Sequence, residues 1–166
     1  MDAPQLRDIQ APLKQRYRDE PDSARITLRA KGSLSDTEVA CSVQTGRALV
    51  EAGLHPATGG DGSLACSGDM LLEALVACAG VTLRSVATSR NIDVSGTIEA
   101  EGDLDFRGTL GIDRVAPIGF ESIRLRFNLE STASAEDLEN LIATTERYCV
   151  VLQTLRHTPS IDVSRS

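Results

Sequence analysis

Residues 67–90 read SGDMLLEALVACAGVTLRSVATSR, and the reading of this stretch decides the fold. It holds no proline and no long β-branched run, and it opens on a residue able to cap a helix, Ser67 or Asp69. Leu71, Leu72, Leu75, Val76, Ala79, Leu83 and Val86 recur at helical spacing. Between Met70 and Val81 the only charge is Glu73, so that half is apolar nearly all the way round. A helix of this kind is expected to be enclosed on several sides. Ala74, Ala77, Ala79 and Gly80 keep it thin enough for neighbouring elements to come close. Cys78 follows Leu75 by three residues and Leu71 by seven, which puts it on the same stripe.

Downstream, Asn91 suits a left-handed helix stop. The period then becomes two. Ile92, Val94, Gly96, Ile98, Ala100, Gly102, Leu104 and Phe106 alternate with polar residues through Arg107, which predicts a long strand or two strands with a bend. Residues 107–119, with glycines and Pro117, suit a hairpin connection, and Ile123, Leu125, Phe127 and Leu129 mark the returning strand. From Ser134 to about Leu155 the helical period returns, with Ser134 and Asp137 placed as a capping pair. Leu138, Leu141, Ile142, Thr145, Cys149 and Leu152 form its stripe, so Cys149 falls on the buried side or at a break. Ile161–Val163, after Pro159, predicts a last short strand.

Upstream, residues 52–66 (AGLHPATGGDGSLAC) read as a loop. Its Gly59-Gly60-Asp61-Gly62 run lacks the lysine and the strand-to-helix setting of a phosphate cradle. A short strand is expected over Ala48–Glu51, preceded by a turn at 45–47. Val39, Cys41 and Val43 alternate with polar neighbours, KGSLSD (31–36) is turn-like, and Arg25–Lys31 alternates as a half-buried strand, giving a hairpin. Leu6, Ile9 and Leu13 predict a short helix in an N-terminal extension, residues 1–22, ahead of the main domain at 23–166. Antiparallel strands interrupted by helices make the fold α+β rather than doubly wound.

The 166 residues suffice for one domain with a real core, and 3% aromatic content makes that core aliphatic. Formal charge is −7, and the seven Lys/Arg against five Asp/Glu in residues 1–31 leave ten against nineteen downstream. With no concentrated basic patch, nucleic acid and anionic membranes are not expected partners. No apolar run is read as long enough to span a bilayer, and the first thirty residues lack the apolar segment of a signal peptide. A cytoplasmic location is expected. In a reducing compartment Cys41, Cys66, Cys78 and Cys149 are not a structural disulfide framework. There is no CxxC, and His55 and His157 lie far apart, so neither a metal nor a cofactor is expected.

Cys78 and Cys149 each lie on the apolar face of a predicted helix. Free cysteine is often a buried, inert small hydrophobe. The contrasting reading is a thiol peroxidase pair. One thiolate attacks a peroxide oxygen and becomes a sulfenic acid, and the second cysteine resolves it to a disulfide for an external dithiol to reduce. Spacing alone does not decide between the two readings.

SGDMLLEALVACAGVTLRSVATSRNIDVSG resembles the central helix of the OsmC/Ohr family, the osmotically induced and organic hydroperoxide resistance proteins, with its cysteine in an "ALxAC" context followed by Thr-Leu and a strand. ERYCVVLQTL resembles that family's second motif, a cysteine followed by Pro-Val and then Thr-Leu, and TGGDGSLACSGDMLLEAL resembles its glycine-rich lead into the helix. The similarity covers roughly residues 24–165. It implies an OsmC-like domain in an intertwined homodimer, antiparallel sheets wrapping two central helices, with each site at the subunit interface. Cys78 would be the peroxidatic cysteine and Cys149 the resolving one, with an organic hydroperoxide as substrate and a lipoyl-type dithiol as reductant.

The sequence departs from that pattern. Strongly active members carry an arginine in the first hairpin turn and a glutamate in the lead to the central helix, whereas here KGSLSD and Gly68 or Asp69 stand there. Lys31 or Arg47 could substitute for the arginine, with Arg47 preferred because it adjoins the loop leading to the helix. Val150 replaces the proline after the resolving cysteine, which predicts a softer helix break. The paired cysteines favour a hydroperoxide reductase. The missing Arg/Glu pair favours a non-catalytic dimer that binds a small hydrophobic ligand, and a redox sensor using the same disulfide lies between them.

Overall fold

A run of apolar residues without a helix breaker folds as one helix, and the computed structural model has Ser67–Ser89 helical throughout. It describes residues 2–19, 31–34, 40–44, 49–111 and 113–165; within these, Leu6, Ile9, 13–14, 16–18, 31–34, 40–44 and Leu49 are described by backbone alone. The element order is α1 (Ala3–Asp19), β1 (Lys31–Leu34), β2 (Ala40–Gln44), β3 (Leu49–Gly53), β4 (Ala65–Cys66), α2 (Ser67–Ser89), β5 (Ser95–Asp103), α3 (Phe106–Thr109), β6 (Ser122–Glu130), α4 (Ala135–Tyr148) and α5 (Val150–Arg156). The class is α+β. The chain divides into two compact units, one of residues 1–12, 74–99 and 125–166, the other of residues 13–73 and 100–124.

The first unit contains the C-terminal part of α2. Leu75, Ala79, Leu83 and Ala87 are its buried residues, a single stripe four residues apart. Leu83 and Ala87 join Val94 and Leu141 in the core, with Val86, Ile92, Ile98, Phe127, Leu129 and Leu138 packed against them. Each fully buried aliphatic side chain of this size stabilises the unit by about 1.5–3 kcal/mol. The helix stops at Asn91, whose φ of 55° is left-handed. Ile92 N–H bonds the Ala87 carbonyl at 2.9 Å and Asn91 N–H the Thr88 carbonyl at 3.2 Å, the paired bonds of a Schellman end. The side of α2 opposite this stripe is open: Val81 is 73% exposed. By length and composition α2 could cross a membrane, contrary to the sequence expectation that no apolar run is long enough.

β5 and β6 pair as a two-stranded ribbon. Their burial alternates, with Ile98, Ala100, Gly102, Ile123, Leu125, Phe127 and Leu129 half-buried and the residues between them exposed. Gly96, with φ of 125°, sits so close to the Asn128 carbonyl that a Cβ there would collide with it. The alternating pattern read as strand through Arg107 stops sooner. The Asp105 carboxylate accepts the Arg107 N–H at 3.0 Å and caps α3, so the cap ends the strand.

In the second unit β1–β4 form a sheet in that order, β1–β2 and β2–β3 antiparallel and β3–β4 parallel. Lys31–Leu34, read from sequence as part of a turn, is a strand registered against Gln44–Cys41. Ladder pairing outweighs the weak local preference of Gly and Ser for turns. The expected strand at 25–30 and the turn at 45–47 lie outside the described residues. The expected loop at 52–66 holds a 3-10 turn, Pro56–Thr58, and the short strand β4. On the ribbon's exposed side Arg124 bonds Glu101 at 3.2 Å and pairs with Asp103, which also accepts from Ser122 at 2.6 Å.

The predicted C-terminal helix is two helices. Ser134 caps α4, its hydroxyl accepting the Asp137 N–H at 3.1 Å. Ile161 and Val163 form no strand; they are 76% and 88% exposed and have no sheet partner among the described residues.

Candidate functional site

The break between α4 and α5 is Cys149 itself. Its φ of −71° and ψ of 107° are extended, yet both its backbone groups serve the helices. The N–H closes α4 on the Thr145 carbonyl and the carbonyl starts α5 by accepting from Gln153 N–H, each at 2.9 Å. Gln153 Nε2 bonds the Glu146 carbonyl at 2.7 Å and Arg156 bonds the Glu146 carboxylate at 2.8 Å, which locks the two helices across the break. The break therefore holds without proline.

A helix start leaves its first N–H groups without partners inside the helix. In α5 no side chain caps them. Those of Val151 and Val150 lie beside the sulfur of Cys78, part-buried on α2, and that of Leu152 beside Cys149. The two sulfurs are neighbours, and both are free thiols. The Thr82 hydroxyl, one turn along α2, donates to the Cys78 carbonyl at 2.8 Å.

These contacts separate the thiols electrostatically. Burial pushes the Cys78 thiol up, but the donors from Val151, Cys149, Val150 and Thr82 together hold it below the ordinary thiol value. Burial pushes Cys149 up, and the adjoining Cys78 sulfur adds to the rise. Cys149 is 0% exposed. The arrangement favours a thiolate at Cys78 beside a thiol retained at Cys149.

The structure thus brings Cys78 and Cys149 together. Arg47 lies outside the described residues, and Lys31 is described by backbone alone. Cys66 stands at the end of β4 and Cys41 in β2, both in the second unit. Among the described residues no group of three or more His, Cys, Asp or Glu could hold a metal ion. The sequence reading missed Thr82 and the amides of residues 150–151. The valine at position 150 was the available signal, because valine has an N–H to donate and proline has none.

The second unit encloses an open cavity of about 400 Å³ walled by Leu54, Leu71, Leu104, Phe106, Ile118 and Phe120. Phe106 stacks on His55, ring centroids 5.0 Å apart and planes at 20°. Gly102 makes room for Phe120; a Cβ there would lie 2.5 Å from that ring.

The fold has counterparts among solved structures. An OsmC-like protein from Mycoplasma pneumoniae superposes with TM-score 0.66 at 16% identity, over 80% of this chain and 89% of that one. An organic hydroperoxide resistance protein OsmC from Legionella pneumophila gives 0.59 at 19%, over 81% and 92%. The organic hydroperoxide resistance protein OhrB of Bacillus subtilis gives 0.52 at 19%, over 79% and 93%. At these identities the likeness is one of fold. No curated protein sequence matches. The model of the OsmC-like protein family matches residues 60–164, a span that includes both helices carrying the paired thiols, and the chain belongs to that family.

Proposed function

We propose that this protein is a cysteine-based peroxidase that reduces organic hydroperoxides through Cys78 and Cys149. The observation that carries this reading is the side-by-side placement of the two sulfurs, with the amides of Val150 and Val151 beside Cys78. In the proposed cycle the Cys78 thiolate attacks a peroxide oxygen. An S–O bond forms, the O–O bond breaks, and the alkoxide leaves and takes a proton from water. Cys149 then attacks the Cys78 sulfenic acid, the disulfide forms and water leaves. An external dithiol, of lipoyl type in this reading, returns both thiols. Neutral donors stand in for the Arg/Glu pair of the family pattern.

A homodimer belongs to the same proposal. The exposed apolar surface of α2, including Val81 and Leu71, is suited to cover by a second copy. Thiol titration before and after one equivalent of cumene hydroperoxide tests the chemistry. Loss of two thiols per chain, abolished by Cys78→Ser, is expected; an unchanged thiol count defeats the proposal. The apolar cavity favours a second reading, a dimer that binds a small hydrophobic molecule, and an unchanged count together with saturable binding of such a probe would support it.

A further inference from the structure

We infer that the cavity of the second unit binds an uncharged, largely apolar molecule carrying one hydrogen-bond acceptor, and that His55 supplies the donor for it. The inference rests on the reading of that cavity as a site for a small hydrophobic molecule and names the ligand's class. It does not depend on what Cys78 does with peroxide.

A cavity of about 400 Å³ falls within the 300–1,000 Å³ that ligand pockets occupy. Its wall is mainly aliphatic and aromatic, and part of that wall is still wet: Leu54 is 42% exposed and Ile118 71%. An apolar occupant takes such surface out of water. A glycine keeps the space open. A Cβ at Gly68 would stand 3.5 Å from Phe120 Cζ, 3.6 Å from Cys66 Sγ and 3.8 Å from Leu104 Cδ1, so a longer side chain there would fill the cavity itself. No Asp, Glu, Lys or Arg is among the described residues of the wall. A desolvated charge without a counter-charge is costly, which selects against an ionised ligand.

The polar groups of the wall decide what the occupant carries. The hydroxyls of Thr58 and Thr109 already donate, to the carbonyls of His55 and Ile118 at 2.9 and 3.5 Å, and Ser67 is exposed to water. His55 differs. Its Nδ1 accepts the Ala57 N–H at 3.0 Å. A backbone amide only donates, so the neutral ring holds its one proton on Nε2. That N–H has no partner among the described residues. Phe106 stacks on the ring face with centroids 5.0 Å apart while Ala57 holds one edge, so the ring is fixed. A fixed, uncommitted donor in an apolar wall is the kind of group that orients a ligand, and an acceptor on the ligand satisfies it.

Two probes of one shape test this: benzophenone, and 1,1-diphenylethylene, in which a methylene replaces the carbonyl oxygen. A third, 4-benzoylbenzoate, adds a carboxylate. Equilibrium dialysis measures the binding of each to the full chain, to His55→Phe, which keeps a ring against Phe106 but no N–H, and to Gly68→Leu. Both neutral probes are expected to bind and the anion to bind far more weakly. His55→Phe is expected to lower the affinity for benzophenone relative to 1,1-diphenylethylene by about two- to tenfold, the range of one net hydrogen bond. Gly68→Leu is expected to lose both. Should Gly68→Leu not fold, saturating benzophenone should slow alkylation of Cys66 in the parent chain. Should His55→Phe not fold, nitrogen NMR of the parent reads the same contact, the His55 Nε2 resonance moving with benzophenone and not with 1,1-diphenylethylene. A probe ratio or resonance indifferent to the carbonyl, or an anion that binds as well, overturns the inference and leaves hydrophobic binding standing. Failure of both neutral probes to bind, or binding that ignores Gly68→Leu and Cys66, overturns the reading of the cavity as a site as well.

Discussion

The backbone N–H of Val150 helps to hold the Cys78 thiol below its ordinary value, so the residue that follows one thiol in the chain serves the other in space. Val150→Pro removes that donor and restores the residue of the family pattern. Proline is well tolerated at the first position of a helix, so the break and the fold should persist. Iodoacetamide labelling of Cys78 at neutral pH should nevertheless slow by roughly four- to twentyfold, the loss of one hydrogen bond to an ionised acceptor being partly offset by the greater nucleophilicity of a more basic sulfur. An unchanged labelling rate in a folded variant would show that the amide has no influence on the thiolate.

The two thiols should label in order as pH rises. Thiolate forms as pH climbs through a thiol's pKa. Cys78 is held below the ordinary value because its hydrogen-bond donors outweigh burial, and Cys149 is held above it by burial and by its neighbour. Peptide-resolved alkylation should therefore modify Cys78 at a pH where Cys149 remains untouched, with Cys149 following only in more alkaline solution. Labelling of Cys149 first would reverse the proposed roles.

Several parts of this arrangement were legible in the sequence because they follow from periodicity. The buried stripe of α2, the wet and dry faces of β5 and β6, and the Ser134 cap are local consequences of residue order. A break at Cys149 was one of two placements open to it, and the resemblance to a pattern with proline at the next position pointed to a softer break there. Other features needed a partner distant in sequence. KGSL has little strand preference of its own and becomes β1 through pairing with β2. The alternation that runs past Asp103 describes side chains faithfully, yet the carboxylate of Asp105 redirects the backbone into α3. Ile161–Val163 alternates like a strand but has no described neighbour to pair with. The contact between the sulfurs belongs to the same class, because seventy residues separate motifs whose meeting depends on how α2 and the α4–α5 break pack.

Cys149→Ser separates the attacking step from the resolving step. Without a second thiol, the Cys78 sulfenic acid has no partner within the site and excess hydroperoxide can oxidise it further. Intact-mass measurement after several equivalents of cumene hydroperoxide should show two added oxygens on the Cys78 peptide, where the parent protein shows the loss of two hydrogens instead. Normal dithiol-dependent turnover by Cys149→Ser would remove Cys149 from the resolving role and leave its buried position as its contribution.

Val81 supplies the test of the dimer. It is 73% exposed on a helix whose buried residues form one narrow stripe, so in a lone chain a polar substitution there should change stability by no more than about 0.5 kcal/mol. If a second copy covers α2, the same substitution places a charge in an apolar interface, where an unpaired ion is costly. Val81→Lys should then shift the sedimentation coefficient from dimer to monomer at micromolar concentration and lower thermal stability with it, since folding and assembly are linked. A parent protein that sediments as a stable monomer would end the dimer proposal, and so would a Val81→Lys variant with unaltered sedimentation. The sulfur pair would survive either result, because Cys78, Cys149, Thr82 and the 150–151 amides all belong to one compact unit of a single chain.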